Sequence, residues 1–497
     1  MSIASFRRSS WLVVVLLCVQ AGDASTQSCQ APLLWGTSSR GHDGAVLQVP
    51  DNYEYVPSVM FDGVYRAWFC TGHYEGAAPH RSYHGDQVAY ATAPSPAGPW
   101  TTPVPVFRNA GNPAAFDGFH TCDPSVVRVN GVYYMYYGGH NNIVYPAAGH
   151  TSGAIGVATS VDGLSWTRLN GGRPIVTAVR GAGHPEYPSL AASRGYGAGQ
   201  PSVTHVDGLF YLAYTDTTGY ASNTVNGAGI YVLRSPDPTF RTAVETLVAP
   251  GTFAPKTPQN DTRFRLLEAF SVDWQFVDML DAFAVADAVI SPGGKRIRVT
   301  LWNRALATTL ASHAQPADWN EGPGLVSRPD KHAVASTNAC GVVPIDLLRS
   351  VGPAGDFSRW GLAHVGFDFS TSLSCACARL PRVFEGTAVT TAGMPWAVVV
   401  GGRRLHFQLA SSLLKLSKTV YNVAWEIYAN IPAGPSLFQG APVYYSHGTP
   451  GAFLLGDGQL WPASCYDLVS ANASSMSWIS PSQWAQHPVG PALFCVR

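Results

Sequence analysis

Residues 123–137 read Asp-Pro-Ser-Val-Val-Arg-Val-Asn-Gly-Val-Tyr-Tyr-Met-Tyr-Tyr, and the fold prediction starts from this stretch. An apolar segment leads into an Asn-Gly pair, and an aromatic-rich segment follows it. Asn-Gly between two β-prone segments is typical of a two-residue hairpin turn, because both residues tolerate positive φ angles. The stretch therefore predicts a β-hairpin.

The same hairpin pattern occurs twice more. Val-Pro-Ser-Val at 56–59 leads to Asp-Gly-Val-Tyr at 62–65, and Gln-Pro-Ser-Val at 200–203 leads to Asp-Gly-Leu-Phe at 207–210. A second pair of β-prone segments follows each hairpin, so each period contains four strands. Four strands per repeat is typical of a β-propeller blade, whereas two packed β-sandwiches would not explain the repetition.

Two further units are less regular. We place the fourth unit at residues 272–302 and the fifth at residues 382–409. Residues 328–378, which include three cysteines, fit neither unit and are predicted to form an insertion. The predicted fold class is therefore an all-β, five-bladed β-propeller with a Cys-containing insertion and a C-terminal extension.

The predicted domain organisation has three parts. A signal peptide occupies residues 1–24, the propeller residues 25–445, and a C-terminal extension, expected to pack on the propeller, residues 446–497. Arg7 and Arg8 precede an apolar run that small residues follow, which is typical of a secretory signal peptide. The run is shorter than the roughly 20 residues that span a bilayer. We therefore expect a secreted or periplasmic protein without membrane insertion.

The composition excludes two classes of protein. Of the 497 residues, 46% are apolar and 12% are charged, which rules out intrinsic disorder. The 31 Lys and Arg residues are balanced by 31 Asp and Glu residues, so the chain lacks the basic surplus of a nucleic-acid binder. Eight cysteines follow the signal peptide, and an even number in an exported chain predicts disulfides. The connectivity stays open, although Cys465 and Cys495 are placed to pin the C-terminal tail.

The repeated units resemble the five-bladed propellers of glycoside hydrolases, a superfamily that includes family 43, family 32 and family 130 enzymes. The resemblance is carried by Asp-Pro-Ser-Val at 123–126, Gly-Val-Tyr-Tyr at 131–134 and Val-Ala-Thr-Ser-Val-Asp-Gly-Leu-Ser-Trp at 157–166. It covers residues 45–320 well and the rest of the chain poorly. Because one fold can carry different chemistries, the activity has to be argued from the site residues.

The resemblance implies that the innermost strand of each blade faces a central funnel and supplies acidic residues. Glycoside cleavage needs one carboxylic acid to protonate the leaving oxygen and one carboxylate to act as base or nucleophile. Family 43 enzymes use an Asp base in the first blade, a second Asp that tunes a pKa, and a Glu acid in a later blade. Val56 and Gln200 stand at two positions where an acid is expected, and neither side chain titrates.

The missing acids are found if the blade that begins at Asp123 takes the role of the family's first blade. We predict that Asp123 activates water as the general base and that Asp273, two blades on, holds the site and tunes its pKa values. The general acid is either Glu385 or Glu321, because each begins a Glu-Gly pair like that of the family's acid motif. Burial would raise the pKa of such a carboxyl group. The resemblance thus implies an inverting hydrolysis.

Five further residues are predicted to bind the substrate. Tyr55 and Trp274 are candidates for stacking on sugar rings, and Gln200 is a candidate for binding a sugar hydroxyl. His120 and His140 lie near the predicted funnel mouth, where histidine can transfer protons near neutral pH. The 15 histidines are scattered along the chain, so we predict neither a metal nor another cofactor.

These observations favour a secreted glycoside hydrolase that acts on oligo- or polysaccharides. The alternative is a non-catalytic propeller that binds carbohydrate or protein, and Val56 and Gln200 favour it. The expected partner is a carbohydrate substrate or ligand rather than a nucleic acid, and the sequence leaves the oligomeric state open.

Overall fold

The structure is a computed structural model that describes ten segments of the chain. The predicted signal peptide lies outside these segments, as do Cys375 and Cys377. Of the helices within the described segments, none is long and apolar enough to cross a membrane. The described residues are 33–41, 44–76, 82–141, 153–178, 196–217, 229–256, 263–291, 294–353, 356–371 and 379–496.

Strands predominate in the described residues, which confirms the predicted all-β class. The first strand, β1 (Leu33–Gly41), joins a unit that forms much later in the chain. The next four strands form an antiparallel unit in chain order: β2 (Glu54–Phe61), β3 (Tyr65–Glu75), β4 (Ser82–Ala93) and β5 (Val104–Phe107).

The second and third units begin with the predicted hairpins. Asn130 and Gly131 both have positive φ, as do Asp207 and Gly208, which agrees with the predicted two-residue turns. The second unit contains β6 (His120–Val129), β7 (Val132–His140), β8 (Ala154–Ser160), β9 (Thr167–Arg168) and β10 (Val176–Thr177). The third unit contains β11 (Ala198–Val206), β12 (Leu209–Asp216), β13 (Gly229–Ser235), β14 (Glu245–Ala249) and β15 (Thr252–Pro255).

The fourth unit begins where the sequence predicts it, at Val272, and extends beyond residue 302 to Pro316. Its strands pair antiparallel in chain order. They are β16 (Val272–Val277), β17 (Ala282–Ser291), β18 (Gly294–Asn303) and β19 (Thr309–Pro316).

The fifth unit differs from the prediction. It contains β20 (Gly324–Ser327), β21 (Val342–Val351) and β22 (Gly361–Thr371), and β1 pairs with β22 as its outer strand. Two of these strands therefore lie within the stretch predicted as an insertion. Residues 328–341 separate β20 from β21, so the short-turn hairpin signal of the earlier units is missing here. β20 also pairs in parallel with β2, and the fifth and first units share one eight-stranded sheet.

The first strands of the five units, which we call the inner strands, contact one another in chain order. β20 in turn contacts β2, so the series returns to its start. Side-chain oxygens accept backbone N–H bonds from the next inner strand at 2.7–3.1 Å. The acceptors and donors are Ser58 and Val126, Ser125 and Val203, Ser202 and Trp274, and Asp273 and Leu325.

Residues 328–332, which we call the axial segment, cross one end of the inner strands. Its carbonyl groups accept N–H bonds from three of these strands: Pro329 from Arg128 at 2.6 Å, Asp330 from His205 at 3.1 Å and Lys331 from Phe276 at 3.0 Å. The segment therefore ties the second, third and fourth units to the fifth unit.

The hydrophobic core lies between the faces of consecutive units. Tyr136 of the second unit packs in one cluster with Leu212 and Tyr231 of the third. Trp274 and Phe283 of the fourth unit pack in another cluster with Val232 of the third. Each sheet therefore buries aromatic side chains against its neighbour, which is how face-packed sheets exclude water.

Residues 380–496 form two more sheets with short helices. Two strands predicted for a fifth blade are present, but they belong to the first of these sheets, whose order is β26-β23-β24-β25-β27. Its strands are β23 (Ala388–Thr390), β24 (Ala397–Val400), β25 (Arg403–Phe407), β26 (Val420–Asn422) and β27 (Ala433–Leu437). The second sheet contains β28 (Val443–Tyr445), β29 (Ala452–Leu454), β30 (Leu460–Pro462) and β31 (Met476–Trp478).

Helices are short in the described part of the chain. The α-helices are α1 (Leu380–Val383), α2 (Ala410–Leu416), α3 (Trp425–Asn430), α4 (Tyr466–Ala471) and α5 (Pro481–Trp484). Two 3₁₀ turns occupy Asn170–Gly172 and Phe357–Arg359. A disulfide between Cys465 and Cys495 holds the tail, as the sequence suggested.

Candidate functional site

Three inner strands carry a β-bulge at the same place. Val56, Asp123 and Gln200 have φ angles of 43°, 51° and 48°, and each directly precedes a proline. The strand register shifts at each of these positions. A bulge turns the side chain of its extra residue away from the regular alternation of the strand. A left-handed backbone conformation is unfavourable for residues other than glycine, so the surrounding fold has to hold the three bulges in place.

A cavity of about 100 Å³ lies beside the bulged residues. It is lined by the beginnings of the inner strands, at the end away from the axial segment. The cavity brings together six of the nine predicted site residues: Tyr55, His120, Asp123, His140, Gln200 and Glu321.

Asp123 is one of three carboxyl groups that line the cavity. It is 5% exposed, and the hydroxyl of Tyr196 donates a hydrogen bond of 2.8 Å to its Oδ2. Burial raises the pKa of Asp123 to about 6, although the bond from Tyr196 opposes this shift. Gly138 leaves room for the carboxylate, because a Cβ at that position would lie 2.8 Å from Oδ2.

Glu321 is the second carboxyl group. Its Oε1 accepts a 3.0 Å hydrogen bond from the Gln200 side-chain amide, whose oxygen in turn accepts a 2.8 Å bond from Ser271. Burial raises the pKa of Glu321 to about 8, and the charges of Asp123 and Asp86 raise it further. The group is therefore protonated at neutral pH, and Gln200 orients it.

Asp86 is a third acid in the cavity, and the sequence did not point to it. His120 Nδ1 lies 2.7 Å from its Oδ2, and Tyr55 and Tyr83 donate bonds of 3.1 and 2.6 Å. The Tyr53 hydroxyl also donates to it. Burial alone would raise the pKa of Asp86, but the hydrogen bond and charge of His120, with the tyrosine bonds, lower it below its usual range. Asp86 is thus a fixed negative charge beside the other two carboxyl groups.

Asp86 and Tyr196 were missed because neither belongs to the repeated hairpin motif. Asp86 lies on the third strand of its unit, β4, and Tyr196 precedes β11. A local signal for Asp86 does exist, because Gly85 before it has a φ of 91°. A Cβ at Gly85 would lie 2.0 Å from the Phe119 carbonyl oxygen, so the position requires glycine.

The rings of the two histidines that line the cavity lie close together and are tilted by 35°. The ring centroids of His120 and His140 lie 4.0 Å apart. Burial, together with the charge of His120, lowers the pKa of His140 to about 4. His140 is therefore neutral at neutral pH, and it offers the cavity a polar but uncharged edge.

Asp273 lies outside the cavity, unlike the prediction for it. Lys331 donates bonds of 2.7 Å to both carboxylate oxygens, and Ser202 donates one of 2.5 Å. The same carboxylate accepts the N–H of Leu325, so its hydrogen-bonding capacity is used within the protein. In the repeat Asp273 corresponds to Ser58, Ser125 and Ser202, two residues after the bulge position. Its contacts are those of a link between inner strands.

Trp274 and Glu385 also lie away from the cavity. Trp274 is fully buried and stacks on Phe283, with ring centroids 4.9 Å apart, so it has no free face for a sugar ring. Glu385 accepts N–H bonds from Gly401 and Gly402 at 2.7 and 3.0 Å. Of the two glutamates left open by the sequence, Glu321 alone lines the cavity that holds Asp123.

Glu385 lines a different cavity of about 310 Å³, between the axial segment and the C-terminal region. Two arginines that face it are already paired. Arg328 bonds to Asp330 at 2.9 Å, and Arg128 bonds to Asp62 at 3.3 Å. The larger cavity thus contains neutralised ion pairs, whereas the smaller one contains neighbouring carboxyl groups.

One group of potential metal ligands is found among the described residues, Cys70, Asp86 and Cys122, and two of them, Asp86 and Cys122, line the smaller cavity. The two sulfur atoms form a disulfide with each other. Since metals bind the thiolate form, these cysteines do not supply ligands while they are bonded.

Asp123 and Glu321 are two carboxyl groups of unequal acidity within one cavity. A buried carboxyl with a pKa above neutral can donate a proton, and a neighbour with a lower pKa can accept one. Such a separation of pKa values is how two acids acquire different roles in catalysis. The arrangement is suited to paired general acid and general base chemistry.

Comparison by sequence does not identify a relative of this chain. No protein-family model matches it, and no curated protein matches it. Its function therefore has to be argued from its own residues.

The solved structures to which this chain is similar include glycoside hydrolases. Zg3597, a family 117 glycoside hydrolase of Zobellia galactanivorans, is 13% identical, with 69% of this chain and 91% of that chain covered and a TM-score of 0.43. The catalytic domain of the GH62 α-L-arabinofuranosidase of Coprinopsis cinerea is 13% identical, covering 69% and 99%, with a TM-score of 0.40. A GH62 hydrolase in complex with xylotriose is 12% identical, covering 67% and 96%, with a TM-score of 0.39. These similarities are too distant to assign a family.

Proposed function

We propose that this chain is an exported, five-bladed β-propeller glycoside hydrolase that cleaves glycosidic bonds of oligo- or polysaccharides. The observation that carries the proposal is that Asp123 and Glu321 line one cavity and have pKa values of about 6 and about 8. Two carboxyl groups with separated pKa values are what glycoside hydrolysis requires.

The propeller assignment is supported by the five successive strand units. Each begins with an inner strand that contacts the next, and the last inner strand pairs with the first. β1 supplies the outer strand of the fifth unit, which joins the beginning of the described chain to its fifth repeat. Export is supported by the disulfides, which persist mainly in oxidising compartments.

In the proposed mechanism Glu321 is the general acid. Its proton passes to the glycosidic oxygen as the bond to the anomeric carbon breaks, and the leaving sugar departs as a neutral alcohol. Gln200 donates to the Glu321 carboxyl group and orients it. Gln200 therefore has a role at its bulge position although its side chain does not titrate.

Asp123 is the general base of the proposed mechanism. It takes a proton from a water molecule that attacks the anomeric carbon on the opposite face, so the product has inverted configuration. Tyr196 fixes the carboxylate by its hydrogen bond. Asp86 replaces Asp273 as the pKa-tuning acid, because its charge raises the pKa of Asp123 and of Glu321.

Hydrolysis of a panel of substrates by the mature protein tests this function. The panel contains aryl arabinofuranosides, xylosides and fructosides, together with plant and microbial polysaccharides. Glu321→Gln is expected to lower turnover by about 10²–10⁴-fold, the usual contribution of a general acid. Glu385→Gln is the matched control, since it makes the same change outside the cavity, and it should retain turnover.

Three outcomes are informative. NMR of the first product should show an inverted anomeric configuration, and a retained configuration would reject the inverting mechanism. Equal losses in the two glutamate variants would reject Glu321 as the acid. Retention on a glycan array without turnover of any substrate would establish the alternative, a propeller that binds carbohydrate without cleaving it.

A further inference from the structure

Beside the carboxyl groups, a disulfide bond joins the first unit to the second. Cys70 lies on β3 and Cys122 on β6, with their Cα atoms 5.1 Å apart. Both residues are buried. The bond therefore links two separate sheets inside the protein rather than two surface loops.

This disulfide forms part of the cavity wall. Cys122 directly precedes Asp123 in the chain and lines the cavity. Both sulfur atoms lie within 4.8 Å of a carboxylate oxygen of Asp86. The Sγ of Cys122 also lies 3.2 Å from the Tyr55 hydroxyl oxygen. The disulfide thus lies next to Asp123 along the chain and close to the carboxylate of Asp86 in space.

The three bulged inner strands differ in how they are anchored. The bulges at Val56 and Gln200 follow Tyr55 and Gly199, which cannot form a disulfide. The bulge at Asp123 follows a cysteine that is bonded to the neighbouring unit. The bulge that presents a titratable group is therefore the one with a covalent anchor on its preceding residue.

We propose that Cys70 and Cys122 are positioning residues whose disulfide holds Asp123 in place beside Asp86 and is needed for full turnover. This inference rests on the proposed function. A bulged strand can change its register, which would turn the carboxylate away from the cavity. A disulfide restricts the distance between its two Cα atoms and so limits this movement. The titratable groups that face Asp123 and would lose their alignment are Tyr55, Asp86, His120, Tyr196 and Glu321.

The test removes each disulfide from the full-length mature protein in turn. The variant is Cys70→Ala with Cys122→Ala, and the matched control is Cys465→Ala with Cys495→Ala. Both remove a bridge, across 52 and 30 residues respectively, and both should lower the unfolding temperature. At a temperature where both are folded, kcat of the first should fall by about 10- to 100-fold, since small misplacements of catalytic groups have such effects. The control should retain the wild-type kcat.

The pH–rate profile separates positioning from a general loss of stability. The acidic limb, which reports the base, is expected to shift in the Cys70/Cys122 variant and to stay in place in the control. A folded Cys70/Cys122 variant with wild-type kcat and profile would overturn the proposal. Equal losses of kcat in both double variants would also overturn it.

A reductant titration covers the case in which the Cys70/Cys122 variant does not fold. Wild-type protein is treated with increasing tris(2-carboxyethyl)phosphine, and peptide mass mapping identifies which bridge is open. Turnover should fall with the opening of the Cys70–Cys122 bond and return on reoxidation. Turnover that survives the opening of this bond would contradict the proposal.

If the wild-type chain has no turnover, the proposed function is rejected. The positioning role of the disulfide is then tested by the pH dependence of the unfolding temperature. Because the pKa of Asp123 is raised from 3.8 to about 6 in the folded state, its contribution to stability is lost as the pH rises through this range. The pH dependence of the unfolding temperature should change in the Cys70/Cys122 variant and not in the control. An unchanged dependence in both would overturn the positioning role.

Discussion

Asp123 and Asp273 both lie on inner strands, and both are buried, yet their surroundings differ. Asp123 occupies a bulge, accepts one side-chain hydrogen bond from Tyr196 and lines a cavity. Asp273 lies in regular strand and accepts bonds from Ser202, Leu325 and Lys331. Two aspartates of inner strands thus differ in role because only Asp123 stands at a bulge, whereas Asp273 stands where the other inner strands carry the linking serine.

Replacing the bulged acid should have the largest effect. Asp123→Asn is expected to lower kcat by about 10²–10⁴-fold, because an amide cannot accept the proton of the attacking water. The unfolding temperature should stay within a few degrees of the wild type, since the Asn side chain still reaches Tyr196. Steady-state kinetics and thermal unfolding check the two parts. Wild-type kcat in this variant would remove Asp123 from the chemistry.

Replacing the strand-linking acid should affect stability instead. Asp273→Asn leaves the Lys331 ammonium, which is 1% exposed, buried without its counter-charge. Removing one partner of a buried ion pair costs about 3–5 kcal/mol of unfolding free energy. Urea unfolding measures this loss, and kcat of the folded fraction should be unchanged.

A second variant sharpens that result. Adding Lys331→Met to Asp273→Asn removes the unpaired charge, so part of the lost stability should return. If the double variant is as unstable as the single one, the loss does not come from the buried charge. A large loss of kcat in folded Asp273→Asn would mean that Asp273 also takes part in catalysis, which would contradict the difference in role between the two aspartates.

A smaller effect is expected from replacing Tyr196, which acts on the pKa of the base and not on the reaction itself. The hydrogen bond from Tyr196 opposes the rise in the pKa of Asp123, so Tyr196→Phe should raise that pKa above about 6. The acidic limb of the pH–rate profile then moves to higher pH, while the alkaline limb stays. Movement of the alkaline limb alone would mean that Tyr196 acts on Glu321 instead.

The smallest effect is expected from replacing Ser125, one of the three serines that correspond to Asp273. Ser125→Ala removes one hydrogen bond to the N–H of Val203, which should cost about 1 kcal/mol of unfolding free energy. Urea unfolding of Ser125→Ala and Ser58→Ala should give similar values, because both serines make the same link at 2.9 Å. A loss as large as that of Asp273→Asn would contradict their lesser role.

Much of the repeated fold could be predicted because hairpin turns are local. Both residues of the Asn-Gly pair and of the second Asp-Gly pair adopt positive φ, whereas in the first unit only Gly63 does, and four units lie where the pattern places them. The fifth unit was misplaced at residues 382–409 because its inner strand has four residues and a long connection follows it. Its outer strand, β1, comes from the other end of the chain, which no local pattern can reveal.

The candidate site was predictable where its residues belong to a recognisable local motif. Asp123 and Gln200 stand before proline in the repeated motif, and Glu321 stands before Gly322-Pro323, where Gly322 has a φ of 53°. Asp86 reaches the cavity from β4 through contacts that are distant in sequence. Asp273 was assigned to the site because the motif was aligned two residues away from the bulge position.

The pairing of Asp123 as base with Glu321 as acid is best tested by the pH dependence of kcat/KM for the wild type and Glu321→Gln. The wild-type profile should be bell-shaped, with limbs near pH 6 for Asp123 and near pH 8 for Glu321. Glu321→Gln should have much lower activity and lose the alkaline limb while keeping the acidic one. A Glu321→Gln profile with both limbs and wild-type magnitude would contradict the pairing of these two carboxyl groups.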